Sequence, residues 1–418
     1  MSNSPLGPTA APNPVDVCRV PLIDIEAQDR ACGKAVREAV ERVLSSHQFI
    51  LGGEVEQFES AVAHYCDTRY AIGCASGTDA LLLALMALGV GPGDEVITTP
   101  YSFHATASSI WRTGARPVFV DIDPDSFNLD PALIESHITS QTRAILIVHL
   151  FGQCCEMEPI WRLAVQRGLP IIEDAAQSLG AEYRGRRAGV LGTAAAFSFY
   201  PTKNLGACGD AGMIVSDDAE LTRHARSLRV HGMEQLYVHR QVGLCSRLDA
   251  IQAAILLAKL PYLERWIRAR QRHAARYGEL FAKHHLGDVV QDPGAAVDRR
   301  HVYHQYVVRV ARDQRDALRE YLRDHGVGSA VYYPVPLHLQ PCFEALGYQR
   351  GAFPHAEQAA EASLALPVFP ELTPAQQETV VATIAAFFGR GDRRSQPMRR
   401  PTFLRDNVTR TGRSSPST

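Results

Sequence analysis

Several features that would narrow the function of a protein are missing from this sequence. No apolar run is long enough to cross a bilayer, and residues 1–14 contain neither a basic start nor an apolar stretch. We therefore expect no membrane span and no signal peptide. The formal net charge of -2 gives no reason to expect a general attraction to nucleic acid or to an anionic membrane.

Close cysteine pairs of the kind that bind metals are also missing. The nine cysteines, an odd number, are scattered from Cys18 to Cys342 without the paired spacing of a metal site. This pattern is typical of a reducing compartment and argues against a disulfide framework. We therefore expect a cytoplasmic protein with no bound metal, in which most cysteines are small buried apolar residues.

The two ends of the chain differ from the rest in composition. Residues 1–19 start with a stretch rich in Pro, Ser, Ala and Asn, and residues 390–418 contain eight Arg and two Asp among Ser, Pro and Thr. Neither end has the apolar periodicity of a packed element, so we expect both to be disordered. A nucleic-acid-binding arm is the alternative for the basic C-terminal tail.

Between these ends the chain has the pattern of an α/β protein. Short apolar or β-branched runs begin at residues 95, 116, 143, 169, 193 and 211, and helical or turn-rich stretches separate them. This alternation predicts a mostly parallel central sheet with helices on both faces. Residues 34–46 repeat apolar side chains at helical spacing, which indicates a helix against this body.

The pattern changes in the C-terminal part of the chain. Residues 250–285 form a long amphipathic pattern that is interrupted at Pro261, and residues 301–388 contain a strand followed by two helices. We therefore predict a large domain over residues 20–262 and a smaller α+β domain over residues 263–389.

Four short segments stand out together in the sequence: ASGTDALLLAL at residue 75, YSFHATA at residue 101, EDAAQS at residue 173 and FSFYPTKNLGACGD at residue 197. Three of them carry motifs whose residues are suited to chemistry. In the first, Ser76, Gly77 and Thr78 precede an apolar helix, where backbone amides, the helix dipole and the Thr78 hydroxyl could bind a phosphate. A simple helix cap is the alternative interpretation of this motif.

The second motif is a pair of carboxylates at the end of a predicted strand. Glu173 and Asp174 follow the run LPII, which places one carboxylate at the carboxyl edge of the sheet, where α/β enzymes bind ligands. A carboxylate there can keep a pyridine nitrogen protonated, so that the ring withdraws electrons from a substrate carbanion. A cap on the next helix is the alternative role of Asp174.

The third motif places Lys203 in a loop after a strand, close to Ser198 and before Gly206 and Gly209. Lysine attacks aldehydes when its pKa is lowered by burial or by a cationic neighbour, and its free amine can then carry a proton between two carbons. An isolated lysine is normally a solvated surface residue. The functional interpretation of Lys203 therefore depends on the two other motifs.

Taken together, the motifs resemble the DegT/StrS-type sugar aminotransferases, a family dependent on pyridoxal 5'-phosphate (PLP) with the aspartate-aminotransferase fold, fold type I. The resemblance runs from Pro21 to Phe388. The segments that carry it are QFILGGEVEQFE, ASGTDAL, RPVFVDIDPDSFNLDP, VHLFGQ, EDAAQSLGAEYRG, FSFYPTKNLGACGDAGMI, SRLDAIQAAIL and YYPVPLHLQP.

The resemblance implies a role for each matching residue of the cofactor site. Lys203 is implied to bind PLP covalently, Asp174 to pair with the pyridine nitrogen, and Gln177 to approach the ring hydroxyl. Phe103 is implied to stack on the ring, and Gly77, Thr78 and Ser198 to hold the phosphate. An aromatic face against a flat cation is consistent with the role of Phe103.

One position departs from the family pattern. The resemblance implies a homodimer with shared active sites, in which an Asn two residues before Arg247 reaches the phosphate of the partner. That position is Cys245 here, and a thiol is a poor hydrogen-bond donor, which puts this contact in doubt. Arg247 remains available for a substrate phosphate or carboxylate, and Tyr332 and Tyr333 lie in a segment that resembles a substrate-proximal loop.

The resemblance implies that an amino group, with L-glutamate as its donor, moves to a 3- or 4-keto hexose linked to a nucleotide. A cyclitol ketone as acceptor, a synthase that forms an aminated ring, and a PLP-binding regulatory protein without turnover stay open as alternatives. A sugar dehydratase is disfavoured because such relatives replace the lysine that Lys203 retains.

Overall fold

The computed structural model describes residues 19–390. The predicted disorder of residues 1–18 and 391–418 therefore falls outside the described part of the chain. Within residues 19–390, no helix combines the length and the apolar character that a bilayer crossing needs.

The described chain contains twelve α-helices. They are α1 (Ile25–Ser46), α2 (Gly53–Cys66), α3 (Gly77–Ala87), α4 (Ala105–Arg112), α5 (Pro131–Ile134), α6 (Met157–Arg167), α7 (Ala219–Leu228), α8 (Ala250–Lys259), α9 (Leu263–Lys283), α10 (Arg312–Asp324), α11 (Pro354–Ala362) and α12 (Pro374–Phe387). The predicted helix over residues 34–46 is the second half of α1, which starts earlier because the Asp24 carboxylate caps the amide of Ala27.

The described chain also contains fourteen strands. They are β1 (Tyr70–Cys74), β2 (Glu95–Thr98), β3 (Arg116–Phe119), β4 (Thr142–Val148), β5 (Ile171–Asp174), β6 (Glu182–Tyr183), β7 (Arg186–Arg187), β8 (Ala194–Ser198), β9 (Gly212–Ser216), β10 (Met233–Gln235), β11 (Val238–His239), β12 (Arg299–Arg300), β13 (Tyr306–Arg309) and β14 (Ser363–Leu366).

The central sheet has seven strands in the order β1, β9, β8, β5, β4, β2, β3. Strands β8, β5, β4, β2 and β3 pair in parallel, whereas β9 is antiparallel to both β1 and β8. The mostly parallel sheet expected from the sequence is confirmed. The carboxyl ends of β1, β5 and β8 lie at one edge of the sheet, where the site described below is built.

Both faces of this sheet are covered by helices, as its strand sequences predict. In β4, Ile145 and Ile147 pack on one side with α2, α6 and α8, while Ala144, Leu146 and Val148 pack on the other side with α3, α4 and α7. Side chains of a strand alternate between the faces, so a strand buried on both sides is apolar throughout.

A separate apolar cluster lies in the C-terminal part of the chain. It combines α9, α10 and α12 with the antiparallel pair β13 and β14, and its members include Tyr277, Val308, Leu318 and Val380. The interruption at Pro261 is a short 3-10 segment, Leu260–Tyr262, between α8 and α9. The domain boundary at residues 262 and 263 stays a prediction.

Candidate active site

The predicted phosphate ligands come together where the chain leaves β1 and β8. A Cβ built on Gly77 would lie 2.6 Å from Ser198 Cβ, so the start of α3 touches the end of β8. Gly212, the first residue of β9, is paired with both Cys74 and Ser198. A Cβ on Gly212 would lie 2.2 Å from the carbonyl of Ser76, so two glycines without side chains make room for this close approach.

The first turn of α3 has the geometry of an anion-binding helix start. Ser76 caps it by accepting a hydrogen bond of 3.1 Å from the amide of Asp79, and the turn that follows begins with Gly77 and Thr78. Backbone amides at the start of a helix, together with the helix dipole, favour a negative group. Thr78 and Ser198 are partly exposed, so both side chains are accessible to a ligand.

Asp174 ends β5 and is only 5% exposed. Its Oδ2 accepts a hydrogen bond of 2.7 Å from Thr106 Oγ1, and its Oδ1 accepts one of 3.2 Å from the amide of Ala176. Burial raises the pKa of Asp174, while these two donors and the charge of Lys203 oppose the rise. A positively charged or protonated group placed against this carboxylate would favour its ionised form.

Lys203 lies in the loop that joins β8 and β9. The loop is closed by hydrogen bonds from the amide of Lys203 to Tyr200 O and from the amide of Ala207 to Phe199 O, both 2.8 Å. Burial lowers the pKa of the Lys203 amine to about 8, and the negative charge of Asp174 limits the decrease. At pH 7 about a tenth of this amine is uncharged, far more than for a solvated lysine, and a nucleophile or a general base requires the uncharged form.

Gln177 and Tyr333 bring the substrate-proximal loop to the end of β5. Gln177 Nε2 donates a hydrogen bond of 3.0 Å to Tyr333 Oη, and Gln177 Oε1 accepts one of 2.7 Å from the amide of Phe151. Phe103 is 58% exposed, and its ring centroid lies 6.2 Å from that of Tyr333. An exposed aromatic ring at this edge of the sheet is available for a planar ligand.

The remaining predicted residues differ in their hydrogen bonds and their exposure. The carbonyl of Tyr332 accepts a hydrogen bond of 2.7 Å from Tyr101 Oη. Arg247 makes no hydrogen bond or ion pair with Lys203 or Asp174 among the described residues, and its buried Nε has no partner there. Cys245 is exposed. Ser246, by contrast, is buried and donates to Asp79 Oδ2 at 2.8 Å.

Two site residues were missed in the sequence. Thr106 and Tyr101 hold Asp174 and the loop at Tyr332, respectively. Both lie in the segment YSFHATA, which the sequence singled out, but neither was assigned a role there. One signal was available for Thr106, because it lies three residues after Phe103. Residues at this spacing share one helical turn, so both can reach the same site.

PLP fits the residues that are present. The cofactor needs an amine for covalent attachment, a carboxylate for its ring nitrogen, a flat apolar face and a phosphate cradle. Lys203, Asp174, Phe103 and the junction of Gly77 and Ser198 supply these groups at one edge of the sheet. Within residues 19–390 there is no cluster of three or more His, Cys, Asp or Glu side chains that could bind a metal ion.

The comparison with known families identifies the chain. The profile of the DegT/DnrJ/EryC1/StrS aminotransferase family matches residues 31–385. This chain belongs to that family. The resemblance seen in the sequence is thereby confirmed.

Two curated relatives are similar to this chain over most of its length. The chain is similar to the pleiotropic regulatory protein of Geobacillus stearothermophilus, with 50% identity over 369 residues, 88% of this chain and 98% of the relative. It is also similar to the UDP-2-acetamido-2-deoxy-3-oxo-D-glucuronate aminotransferase of Pseudomonas aeruginosa, with 42% identity over 365 residues, 87% of this chain and 99% of the relative.

Solved structures of the family superpose closely on the chain. DesV of S. venezuelae, solved in complex with a ketimine intermediate, matches 90% of this chain and all of its own length, with 42% identity and a TM-score of 0.86. NtdA of Bacillus subtilis, solved with bound cofactor PMP, the amine form of PLP, covers 89% of this chain and 85% of its own length, with 33% identity and a TM-score of 0.82. The expected fold type I, the aminotransferase class and the PLP cofactor are confirmed.

Proposed function

We propose that this family member transfers an amino group from L-glutamate to the ketone of a nucleotide-linked 3- or 4-keto hexose, as a step of amino-sugar biosynthesis. The observation that carries the proposal is that the amine of Lys203, whose pKa is lowered, and the buried carboxylate of Asp174 lie at the same edge of the sheet, near enough for the charge of each to shift the pKa of the other.

Each residue of the site has a separate role in such a transfer. When bound, PLP supplies an electron-withdrawing ring that stabilises negative charge on the carbon that loses a proton. Asp174 holds the ring nitrogen in its protonated form, and Gly77, Thr78 and Ser198 bind the phosphate. Lys203 Nζ, once free, takes the proton from the α-carbon of the donor and later delivers a proton to the former carbonyl carbon of the acceptor.

The acceptor class is supported by the relatives. The Pseudomonas aeruginosa relative is named for a UDP-linked 3-oxo sugar acid, and a Streptomyces venezuelae relative, 42% identical, is named as dTDP-3-amino-3,4,6-trideoxy-alpha-D-glucose transaminase. The first name gives an oxo group and the second an amino group at carbon 3 of a nucleotide-linked sugar. The exposed ring of Phe103 lies 6.2 Å from the partly buried ring of Tyr333, so two aromatic rings are available beside the proposed cofactor site.

The test uses the purified full-length protein loaded with PLP. Borohydride reduction should fix the cofactor on the peptide that contains Lys203, and mass spectrometry should detect the adduct in the wild type and in Lys34→Ala, but not in Lys203→Ala. L-Glutamate should remove the long-wavelength absorbance and release 2-oxoglutarate. The absence of the Lys203 adduct contradicts the proposed cofactor site, and no 2-oxoglutarate contradicts the proposed donor.

The product of the second half-reaction identifies the acceptor. With a UDP- or dTDP-linked 3-keto or 4-keto sugar, the mass of the product should correspond to the replacement of the ketone oxygen by an amine. Loss of water without gain of nitrogen would instead indicate dehydration. Amination of a cyclitol ketone but of no nucleotide-linked sugar would favour the cyclitol alternative.

A non-catalytic regulatory role is the second candidate, because the Geobacillus stearothermophilus relative is named a pleiotropic regulatory protein. A protein that only senses PLP needs an amine for covalent attachment but no carboxylate that keeps the ring nitrogen protonated, so the buried Asp174 favours turnover. PLP binding without 2-oxoglutarate release from any amino donor would support the regulatory role.

We also propose a cytoplasmic homodimer with shared active sites. The eight cysteines within residues 19–390 are all free thiols, which fits a reducing compartment. The unpartnered Nε of Arg247 and the exposed Cys245 fit a surface that faces the site of a second subunit.

A further inference from the structure

A chain of two buried hydroxyls leads to Asp174. Thr106 Oγ1 donates to Asp174 Oδ2 at 2.7 Å, and Ser102 Oγ lies 2.8 Å from Thr106 Oγ1. Thr106 has one hydroxyl hydrogen and gives it to the carboxylate, so Ser102 is the donor in the second hydrogen bond. Both hydroxyls therefore direct their hydrogens toward Asp174.

The segment that leads into α4 carries both these buried hydroxyls and the exposed ring of Phe103. The amide of Thr106 donates to Phe103 O at 3.2 Å, while the side chain of Thr106 is fully buried and that of Ser102 nearly so. Phe103 lies on the exposed side of the same turn. A single turn thus presents an aromatic ring to the site and hydroxyl donors to the carboxylate.

We propose that Ser102 and Thr106 are positioning residues, which keep the Asp174 carboxylate ionised and oriented toward the ring nitrogen of PLP. The inference rests on the proposed function, which gives Asp174 that partner. Thr106 occupies one carboxylate oxygen and the amide of Ala176 the other, so the carboxylate is fixed from two sides.

The physical reason is the low polarity around Asp174. Burial disfavours its ionised form, and a hydroxyl that donates to the anion compensates for part of the lost water. The titratable groups that face Asp174 are Lys203, His149 and Tyr333. Without the Thr106 hydroxyl, Asp174 becomes a stronger base, and the proton that it shares with the ring nitrogen moves toward the carboxyl group.

The test compares the wild type with Thr106→Val, which keeps the shape of the side chain, and Thr106→Ser, which keeps the hydroxyl. Ser102→Ala removes the outer donor. Ser108→Ala is the matched control, because the Ser108 hydroxyl bonds only the carbonyl of Ala105 in its own helix. The readouts are the dissociation constant of PLP, the pH midpoint of the visible absorbance of the bound cofactor, and the unfolding temperature without PLP.

We expect Thr106→Val to weaken PLP binding about ten- to a hundred-fold, the range for a hydrogen bond to a charged group, and to shift the pH midpoint. Ser102→Ala should shift both readouts less and in the same direction, whereas Thr106→Ser and Ser108→Ala should resemble the wild type. Unfolding temperatures without PLP should agree within a few degrees. If Thr106→Val does not fold, the comparison of Ser102→Ala with Ser108→Ala tests the inference by the PLP dissociation constant and the pH midpoint.

Failure of the role of the hydroxyls and failure of the proposed function give different results. Equal PLP affinity and an equal pH midpoint in the wild type, Thr106→Val and Ser102→Ala overturn the role of the hydroxyls while the proposed function stands. A wild type that does not bind PLP at Lys203 overturns the proposed function and this inference with it.

Discussion

Gly77 at the start of α3 lies directly against Ser198 at the end of β8, two residues that are 121 positions apart in the chain. The contact exists because β9 is inserted between β1 and β8 and its first residue, Gly212, leaves space for the turn above it. The proposed phosphate cradle depends on this junction.

We therefore predict that Gly77→Ala weakens PLP binding at least about ten-fold, because the new methyl group would meet Ser198 Cβ at 2.6 Å and displace a phosphate ligand. PLP titration followed by absorbance measures the effect. Gly91→Ala is the matched control, since a Cβ at Gly91 meets nothing within 4 Å. Equal affinity in both variants would show that the junction does not hold the phosphate.

The second prediction concerns the amine of Lys203 in the protein without PLP. Its pKa of about 8 means that it loses its charge at lower pH than a solvated lysine. Labelling by an amine-reactive reagent, followed by peptide mass spectrometry, should therefore reach half of its maximal rate near pH 8 at Lys203. Asp174→Asn removes a negative neighbour that raises this pKa, so the midpoint should move to lower pH.

Lys34, whose side chain is 90% exposed, is the internal reference in the same samples. Its labelling profile should be the same in the wild type and in Asp174→Asn. Coincident profiles of Lys203 and Lys34 in the wild type would contradict the burial of the Lys203 amine.

The structure also clarifies which parts of the site can be predicted from sequence. Asp174 was expected at a strand end because an apolar run precedes it, and it ends β5. Lys203 was expected in a loop after a strand, and it follows β8. The contact between Gly77 and Ser198 could not be predicted, because it depends on the antiparallel insertion of β9. The bond from Thr106 to Asp174 joins residues 68 positions apart, and its geometry depends on how α4 packs on the sheet.

The third prediction concerns Glu173, which precedes Asp174 and is fully buried. Its carboxylate accepts hydrogen bonds from the amides of Gly189, Leu191 and Gly192 and lies 2.9 Å from His149 Nε2. Glu173→Ala leaves these donors without an acceptor and should lower the free energy of unfolding by about 3 kcal/mol.

Urea unfolding followed by circular dichroism measures this change. The control is Glu38→Ala on α1, whose side chain is 62% exposed and whose removal should change stability by less than about 0.5 kcal/mol. Equal stability of the two variants would mean that the loop over residues 189–192 finds other partners for its amides.

The last prediction tests the shared active site that the family membership suggests. If Lys203 of one subunit works with Arg247 of the other, then Lys203→Ala and Arg247→Ala are each inactive as homodimers, yet a heterodimer contains one intact site and one doubly altered site. Unfolding and refolding an equal mixture should form heterodimers at random, which restores about a quarter of the wild-type activity. The same mixing of Lys203→Ala with Asp174→Ala is the control, because both residues lie in one chain and every site of that heterodimer lacks one of them. If neither mixture is active, Arg247 works with the lysine of its own subunit. The unpartnered Nε of Arg247 would then need a hydrogen-bond partner within the same subunit.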